Sequence, residues 1–212
     1  MLTGREMTVI LSAYVLGCFT AGYYWVRWRT GQDVRQLGSG SVGARNVGRV
    51  TGPPGFVITF LLDFGKGAMA AGAAHYFGLG PDAVVAVLVA VVVGHNWPIQ
   101  LRFHGGKGIA TSLGALLAYD PFIVLMLMLV FMPGFVLLRS FNLAGLLAFA
   151  LSPFVVFLCG LGNPEVAAIS FLAILVLFSH RRNIREEFAR FFSSRALKDA
   201  RTPGPGEQDH EL

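Results

Sequence analysis

Long apolar runs separated by short polar stretches dominate the pattern of this chain. The first run extends from Met7 to Val26. Six more follow, at about 54–77, 82–94, 109–119, 121–138, 141–161 and 164–179. The breaks between them contain Gly and Pro, which favour turns and end helices. Since about 20 helical residues cross a bilayer, the pattern predicts an all-α, polytopic membrane protein with seven transmembrane helices.

Two features of these runs leave alternatives open. The third and fourth runs are short, so either they extend into neighbouring polar segments or they do not span fully, in which case five spans remain. The first run could be a signal peptide, but it ends in a cluster of Tyr and Trp side chains. Such a cluster is typical of a membrane interface rather than of a cleavage site, which favours a retained span.

The composition agrees with a membrane protein. Of the 212 residues, 54% are hydrophobic and 14% are charged, whereas soluble domains contain about 25% charged residues. We therefore predict one integral-membrane domain over residues 1–190. Residues 191–212 form a polar cytoplasmic tail, whose Pro- and Gly-rich end is expected to be disordered.

The basic residues are distributed unevenly. If seven spans are present, all of the 17 Lys and Arg residues except Arg5 and Lys66 fall on one side. Basic connections face the cytoplasm, so this pattern places the N-terminus outside and the C-terminus in the cytoplasm. Because seven spans place nearly all basic residues on one side, the charge distribution favours seven spans over five.

Three polar stretches fall on that cytoplasmic side. They are "GSGSVGARNVGRVTG" at 38–52, "GHNWPIQLRFHGGKG" at 94–108 and "SHRRNIR" at 179–185. Glycine lets successive backbone amides converge on an anion, and Arg and Lys add full charges. Turn formation and charge topology could explain any one stretch, but the three together favour a site for a phosphate-bearing molecule.

The residues of these stretches exclude several other sites. "GGKG" lacks the spacing of a nucleotide-binding P-loop. The stretches contain no Asp or Glu, the residues that usually hold Mg²⁺ for phosphoryl transfer, so we predict no metal. Asp33 lies nearby but alone. The H-x-x-x-x-D pattern of another acyltransferase class is absent.

Two ionisable residues interrupt the second apolar run, in "LLDFGKG". Asp63 and Lys66 are spaced i,i+3, so their side chains can pair on one helix face. Charges within a membrane are costly unless paired. We favour an internal ion pair that fixes helix packing, with a lysine on a substrate pathway as the alternative.

The three stretches resemble, in order and spacing, three motifs of the PlsY family, and the resemblance covers roughly residues 8–190. PlsY proteins are bacterial acyl-phosphate:glycerol-3-phosphate acyltransferases of phospholipid biosynthesis. The resemblance implies a seven-helix enzyme of the inner membrane with a cytoplasmic active site. That enzyme moves a fatty acyl group from acyl-phosphate to the 1-hydroxyl of glycerol 3-phosphate, which gives lysophosphatidic acid and phosphate.

The resemblance also implies the partners of the protein. Acyl-phosphate and glycerol 3-phosphate are the substrates, membrane lipid surrounds the chain, and neither a cofactor nor nucleic acid is involved. The oligomeric state stays open, with a monomer as one option.

The site residues implied by the resemblance come from all three motifs. The catalytic residues are Lys107, His180 and Asn183, of which the last two are spaced i,i+3. The substrate-binding residues are Ser39, Gly40, Gly43, Asn46, Arg49, Gly105, Gly106, Gly108 and Arg139. The proton of the acceptor hydroxyl passes either to His180 or to a phosphate oxygen of the substrate.

The chain also departs from the family pattern. Arg45 stands where Thr is usual, which places a bulky cation in a glycine-rich loop, and Asn142 and Gly145 replace two serines. These departures keep open a paralogue that acylates another phospho-acceptor or has weak activity. Two further hypotheses are a non-catalytic protein that binds anionic lipid or phosphate, and a transporter of a phosphorylated solute that reuses the anion-binding loops.

Overall fold

The computed structural model describes residues 2–182 and 184. This part of the chain contains helices and no strand, which confirms the all-α prediction. The α-helices are α1 Gly4–Cys18, α2 Ala21–Thr30, α3 Ala44–Thr51, α4 Pro53–Tyr76, α5 Pro81–Asn96, α6 Ile109–Tyr119, α7 Pro121–Leu138, α8 Phe141–Leu158 and α9 Asn163–Ser179. Short 3-10 helices cover Val34–Gln36 and Ile99–Leu101.

Six helical segments in the described part are long and apolar enough to cross a membrane. They are Gly4–Thr30, Pro53–Tyr76, Pro81–Leu101, Pro121–Leu138, Phe141–Leu158 and Asn163–Arg182. The remaining predicted run forms α6, which is apolar but has only 11 residues. Each predicted run therefore corresponds to a helical segment. The number of spans and the orientation of the termini stay predictions of the charge pattern.

The first predicted run is interrupted rather than continuous. α1 ends at Cys18 and α2 begins at Ala21, so helical hydrogen bonding stops within the run. The Nζ atom of Lys66 donates to the carbonyl oxygens of Gly17 at 3.1 Å and Phe19 at 2.7 Å. A charged donor from α4 thus satisfies carbonyls that the end of α1 leaves without helical partners.

Glycines bring two pairs of helices into close backbone contact. A β-carbon on Gly17 of α1 would lie 2.2 Å from a backbone oxygen of α5, and one on Gly94 of α5 would lie 2.2 Å from a backbone oxygen of α1. One on Gly114 of α6 would lie 1.9 Å from a backbone oxygen of α4. These contacts require the absence of a side chain, and they fix the end of α5 and the middle of α6 against their neighbours.

The chain forms one compact unit up to Ser179, and a second unit begins at His180. The predicted domain boundary at residue 190 and the predicted tail at 191–212 lie outside the described residues. Both stay predictions.

Candidate active site

The first predicted loop lies on a small apolar cluster. The cluster contains the buried side chains of Val26, Val34, Val42, Val47 and Leu101. These residues come from α2, from the 3-10 helix before the loop, from the loop itself, from α3 and from the segment after α5. The loop is therefore anchored by apolar packing, while Ser39, Arg45 and Arg49 remain exposed.

Asn46 determines the shape of this loop. Its Oδ1 accepts a hydrogen bond from the backbone amide of Ser39 at 2.8 Å. Its Nδ2 donates to the carbonyl oxygens of Leu37 and Ser41, both at 2.9 Å. Since the side chain is 2% exposed, its polar atoms are committed to the backbone. A direct contact of Asn46 with substrate stays a prediction.

The glycines around Asn46 are required by the conformation of the loop. Gly38 has φ of +57° and Gly40 has φ of +71°, values that few other residues adopt without strain. A β-carbon on Gly38 would also lie 2.3 Å from Oδ1 of Asn46. This geometry leaves Ser39 exposed, and Arg49 is exposed on α3.

Arg35, on the 3-10 helix just before the first loop, connects that loop to the second, and it is not among the residues predicted from the sequence. Its Nη1 donates to the carbonyl oxygen of Leu101 at 2.9 Å, and its Nη2 lies 2.6 Å from Oδ2 of Asp33. Asp33, the lone acid near this loop in the sequence, is thus paired with a cation. Hydrogen bonds from Arg35 lower the pKa of the Asp33 carboxyl, against the opposing effect of partial burial. The i,i+2 spacing of an acid and an arginine was the available signal.

The second predicted loop folds back onto the end of α5. The amide of Gly105 donates to the carbonyl of Asn96 at 3.1 Å, and that of Gly106 donates to the carbonyl of His95 at 2.9 Å. A β-carbon on Gly106 would lie 1.9 Å from Nε2 of His95. The loop backbone therefore rests against the Nε2 edge of the imidazole ring, and this contact requires the absence of a side chain at Gly106.

Lys107 lies between this backbone contact and the start of α6. Gly108 precedes the helix with φ of +84°, and a β-carbon there would lie 2.9 Å from Cγ1 of Val92. Lys107 is half-buried. The unpaired amides at a helix N-terminus favour anions, so Lys107 and the first turn of α6 present positive charge at the same place.

A buried ionic cluster lies beneath the second loop. Nζ of Lys66 lies 2.9 Å from Oδ1 of Asp63, which confirms the predicted ion pair. The same Nζ lies 2.8 Å from Nδ1 of His95, and Oδ1 of Asp63 lies 3.4 Å from that nitrogen. The sequence prediction had included the pair but not His95. The cluster links α4, the end of α1 and the ring on which Gly106 rests.

Three polar contacts connect the chain segments at this end of the first unit. Arg35 joins the two loops, as described above. Nδ2 of Asn96 donates to Oγ of Ser179 at 2.9 Å, which joins the ends of α5 and α9. Arg45 donates to Asn142, which joins α3 to the start of α8. Arg139 precedes that helix and is exposed. The two loops and the α7–α8 connection therefore meet at one end of the helices.

The remaining predicted catalytic residues belong to the second unit or lie outside the described part. His180 begins the second unit and is buried, and its carbonyl accepts a hydrogen bond from the amide of Ile184 at 2.9 Å. Asn183 lies outside the described residues. Within residues 2–182 and 184, no group of three His, Cys, Asp or Glu side chains is arranged to hold a metal ion.

Comparison with known proteins assigns the chain to a family. The family model described as glycerol-3-phosphate acyltransferase matches residues 7–190. Glycerol-3-phosphate acyltransferase 1 of Desulfitobacterium hafniense (strain Y51) is 41% identical over 182 residues, which cover 85% of this chain and 90% of the relative. The glycerol-3-phosphate acyltransferase of Synechococcus sp. (strain CC9902) is 37% identical over 184 residues, 87% of this chain and 92% of the relative.

Solved structures give the same result. The crystal structure of PlsY (YgiH), an integral membrane glycerol 3-phosphate acyltransferase, in its glycerol 3-phosphate form superposes with a TM-score of 0.80 at 33% identity, covering 88% of this chain and 93% of that one. Its lysophosphatidic acid form gives a TM-score of 0.77 at 31% identity, with the same coverage. From the motif loops, the helical arrangement and these matches, we conclude that this chain belongs to the glycerol-3-phosphate acyltransferase (PlsY) family.

Proposed function

We propose that this protein transfers a fatty acyl group from acyl-phosphate to the 1-hydroxyl of glycerol 3-phosphate, giving lysophosphatidic acid and phosphate. We place this reaction at the cytoplasmic face of a bacterial inner membrane. The observation that carries the proposal is the joining of two glycine-rich cationic loops at one end of the apolar helices, in a chain of this family. Family membership supports the acceptor, whereas the donor rests on the motif resemblance.

Both proposed substrates carry a phosphate, and the site offers cations for them. Lys107, with the backbone at Gly108 and the first turn of α6, holds the phosphate that leaves the donor, whereas the amides of Gly105 and Gly106 donate to the carbonyls of Asn96 and His95 and keep the loop in place. Arg49 and Arg139, both exposed, hold the phosphate of the acceptor. The two loop stretches, 38–52 and 94–108, contain no acidic residue that would compete for these cations. Charge-assisted hydrogen bonds to phosphate are among the stronger ones in proteins.

The reaction needs no protein nucleophile. Acyl-phosphate is a mixed anhydride, so the acceptor hydroxyl oxygen attacks the carbonyl carbon and the bond from that carbon to the phosphate oxygen breaks. The hydroxyl proton passes to His180 or to a phosphate oxygen. Preorganised donors stabilise the charge that develops on the departing phosphate, and fixed positioning of the two reactants lowers the barrier further.

Residues beneath the loops support this chemistry without touching substrate. Asn46 and Arg35 fix the first loop, and His95 supports the second at Gly106. We assign these three residues positioning roles, because their polar atoms bond the protein backbone or lie under it. Ser39 and Gly43 form the parts of the first loop that a substrate phosphate can approach.

The direct test is an assay on the purified full-length protein in detergent. With synthetic acyl-phosphate and glycerol 3-phosphate, we expect release of phosphate and formation of lysophosphatidate in equal amounts. An acyl-CoA arm tests the donor and should give no product. Absence of product above a protein-free blank at millimolar acceptor would overturn the proposal.

Lys107→Ala tests the assignment of the site. We expect turnover to fall by about a hundredfold or more, as when a preorganised donor is removed from an active site. Arg29→Ala is the matched control, because Arg29 is an exposed cation that stacks on Trp25 and Trp28 of α2. Equal losses in both variants would show a general effect of charge rather than a site.

A further inference from the structure

Arg45 makes a contact that neither the family motifs nor the mechanism above uses. It is the second residue of α3 and is exposed. Its Nη1 donates to Oδ1 of Asn142, and its Cζ lies 5.8 Å from the centre of the Phe141 ring. Phe141 and Asn142 form the first turn of α8. The contact therefore connects α3 with the α7–α8 connection, which carries Arg139.

The contacts of Arg45 hold its guanidinium group in place but do not neutralise its charge. Its hydrogen-bond partner is a neutral amide, and the Phe141 ring contributes a cation–π contact. Among residues 2–182 and 184, no carboxylate forms an ion pair with Arg45. An arginine has several N–H donors in a rigid fork, so a single bond to Asn142 leaves donors for another acceptor.

A second cation lies on the same face of α3. Arg49 is one helical turn beyond Arg45 and is also exposed. Like charges spaced i,i+4 destabilise a helix, and an anion between them relieves the repulsion. α3 therefore presents a two-arginine face, of which only Arg49 belongs to the motif that the chain resembles.

Resting on the proposed function, we propose that Arg45 is a specificity-determining residue that binds the phosphate monoester of a substrate, in an orientation fixed by Asn142 and Phe141. The donor and the acceptor both carry this group. Arg45 and Asn142 are also two of the positions at which the chain departs from the family pattern. Their contact thus adjusts substrate preference in this chain while the shared chemistry is kept.

A structural bond between α3 and α8 is the competing explanation, and Asn142→Asp separates the two. The new carboxylate forms an ion pair with Arg45. If the bond serves only to hold the helices together, this variant keeps or improves both stability and activity. If the charge of Arg45 binds phosphate, the carboxylate competes with the substrate and repels it, so KM rises.

The experiment measures kcat and KM separately for glycerol 3-phosphate and for acyl-phosphate. Arg45→Thr and Asn142→Asp should each raise KM for one of them by about tenfold, the size of a lost hydrogen bond to a charged group, with little change in kcat. The substrate whose KM rises is the one whose phosphate Arg45 binds. Arg29→Thr removes a positive charge from a different helix, α2, and should change neither KM.

The outcomes separate this inference from the proposed function. If the wild type turns over but KM for both substrates is unchanged in Arg45→Thr and Asn142→Asp, the inference is overturned and the proposed function stands. If the wild type shows no turnover, the proposed function fails. In that case, the rise in melting temperature on adding glycerol 3-phosphate or acyl-phosphate tests the inference. The inference fails if the wild type shows no rise, or if Arg45→Thr shows the same rise as the wild type.

Discussion

Nζ of Lys66, on α4, lies 2.8 Å from Nδ1 of His95, which stands at the end of α5 beneath the glycine-rich second loop. The other ring nitrogen of the same imidazole lies against Gly106, where an added β-carbon would lie 1.9 Å from Nε2. The His95 side chain thus contacts both the buried charge of Lys66 and the second loop. Changes to the cluster are therefore expected to displace Lys107, which we propose to bind phosphate.

Lys66→Met is expected to destabilise the protein strongly. It leaves Asp63 buried without its cation and removes the donor to the carbonyls of Gly17 and Phe19. Loss of one member of a buried ion pair costs about 3–5 kcal/mol. Unfolding in detergent by a denaturant or by heat measures the loss.

The double variant Asp63→Asn with Lys66→Met provides the control for this prediction. Removing both charges should recover part of the loss, because the two residues are directly coupled. If the losses of the two single variants simply add, the residues are not coupled and the ionic cluster does not have the role described here.

Gly106→Ala is expected to reduce turnover more than stability. The added methyl group collides with the His95 ring, so the loop and Lys107 must shift away from their positions. A misplacement of about 1 Å can cost a hundredfold in rate. Measured kcat, with circular dichroism and melting temperature as controls of the fold, checks the prediction.

Gly65→Ala is the matched control for that substitution. An added β-carbon at Gly65 of α4 meets nothing within 4 Å, and alanine is favoured over glycine in a helix by about 1 kcal/mol. This variant should be as active as the wild type and equally or more stable. If Gly106→Ala behaves in the same way, the loop does not depend on contact with His95.

The helices could be predicted from the sequence where residues that start or end helices coincide with the ends of the apolar runs. The run at 121–138 coincides with α7, because Pro121 starts the helix and the Asp120 side chain accepts from the amide of Phe122 at 2.9 Å. The break between α1 and α2 could not be predicted. It depends on Lys66, which is 47 residues from Phe19 along the chain, and no local pattern reveals that contact.

The motif residues of the site could also be found from the sequence, but the residues that hold them in place could not. Glycine and cationic residues in polar stretches mark the two loops directly. Arg35 was missed because its role is a bond to the carbonyl of Leu101, 66 residues away. From the sequence, His95 can be assigned only as a capping or binding residue, because its partners Asp63 and Lys66 lie on another helix. Such contacts are set by packing, which sequence spacing does not reveal.

The link between Asp33 and Arg35 predicts a dependence of stability on pH. Hydrogen bonds from Arg35 lower the pKa of the Asp33 carboxyl in the folded protein. This contribution is therefore fully present above the ordinary Asp pKa of about 3.9 and is lost as the pH falls through the lower folded value. The melting temperature of Asp33→Asn should lie below that of the wild type at pH 6, and the difference should shrink below about pH 4. A constant difference between pH 6 and pH 3 would contradict this assignment.

Asn46→Asp tests whether Asn46 acts by shaping the first loop. The substitution keeps the size of the side chain and the acceptor for the amide of Ser39. It replaces the NH₂ group that donates to the carbonyls of Leu37 and Ser41 with an oxygen, so two acceptors then face an acceptor in a buried site. Leaving buried polar groups unsatisfied costs about 1–3 kcal/mol each.

We therefore expect Asn46→Asp to lower the melting temperature and to reduce turnover together. Ser39→Ala is the matched control, because Asn46 bonds the backbone amide of Ser39, which alanine retains. That variant should keep the wild-type melting temperature and change only kinetic constants for substrate. If Asn46→Asp melts like the wild type while KM rises, Asn46 contacts substrate directly, and its role in shaping the loop is secondary.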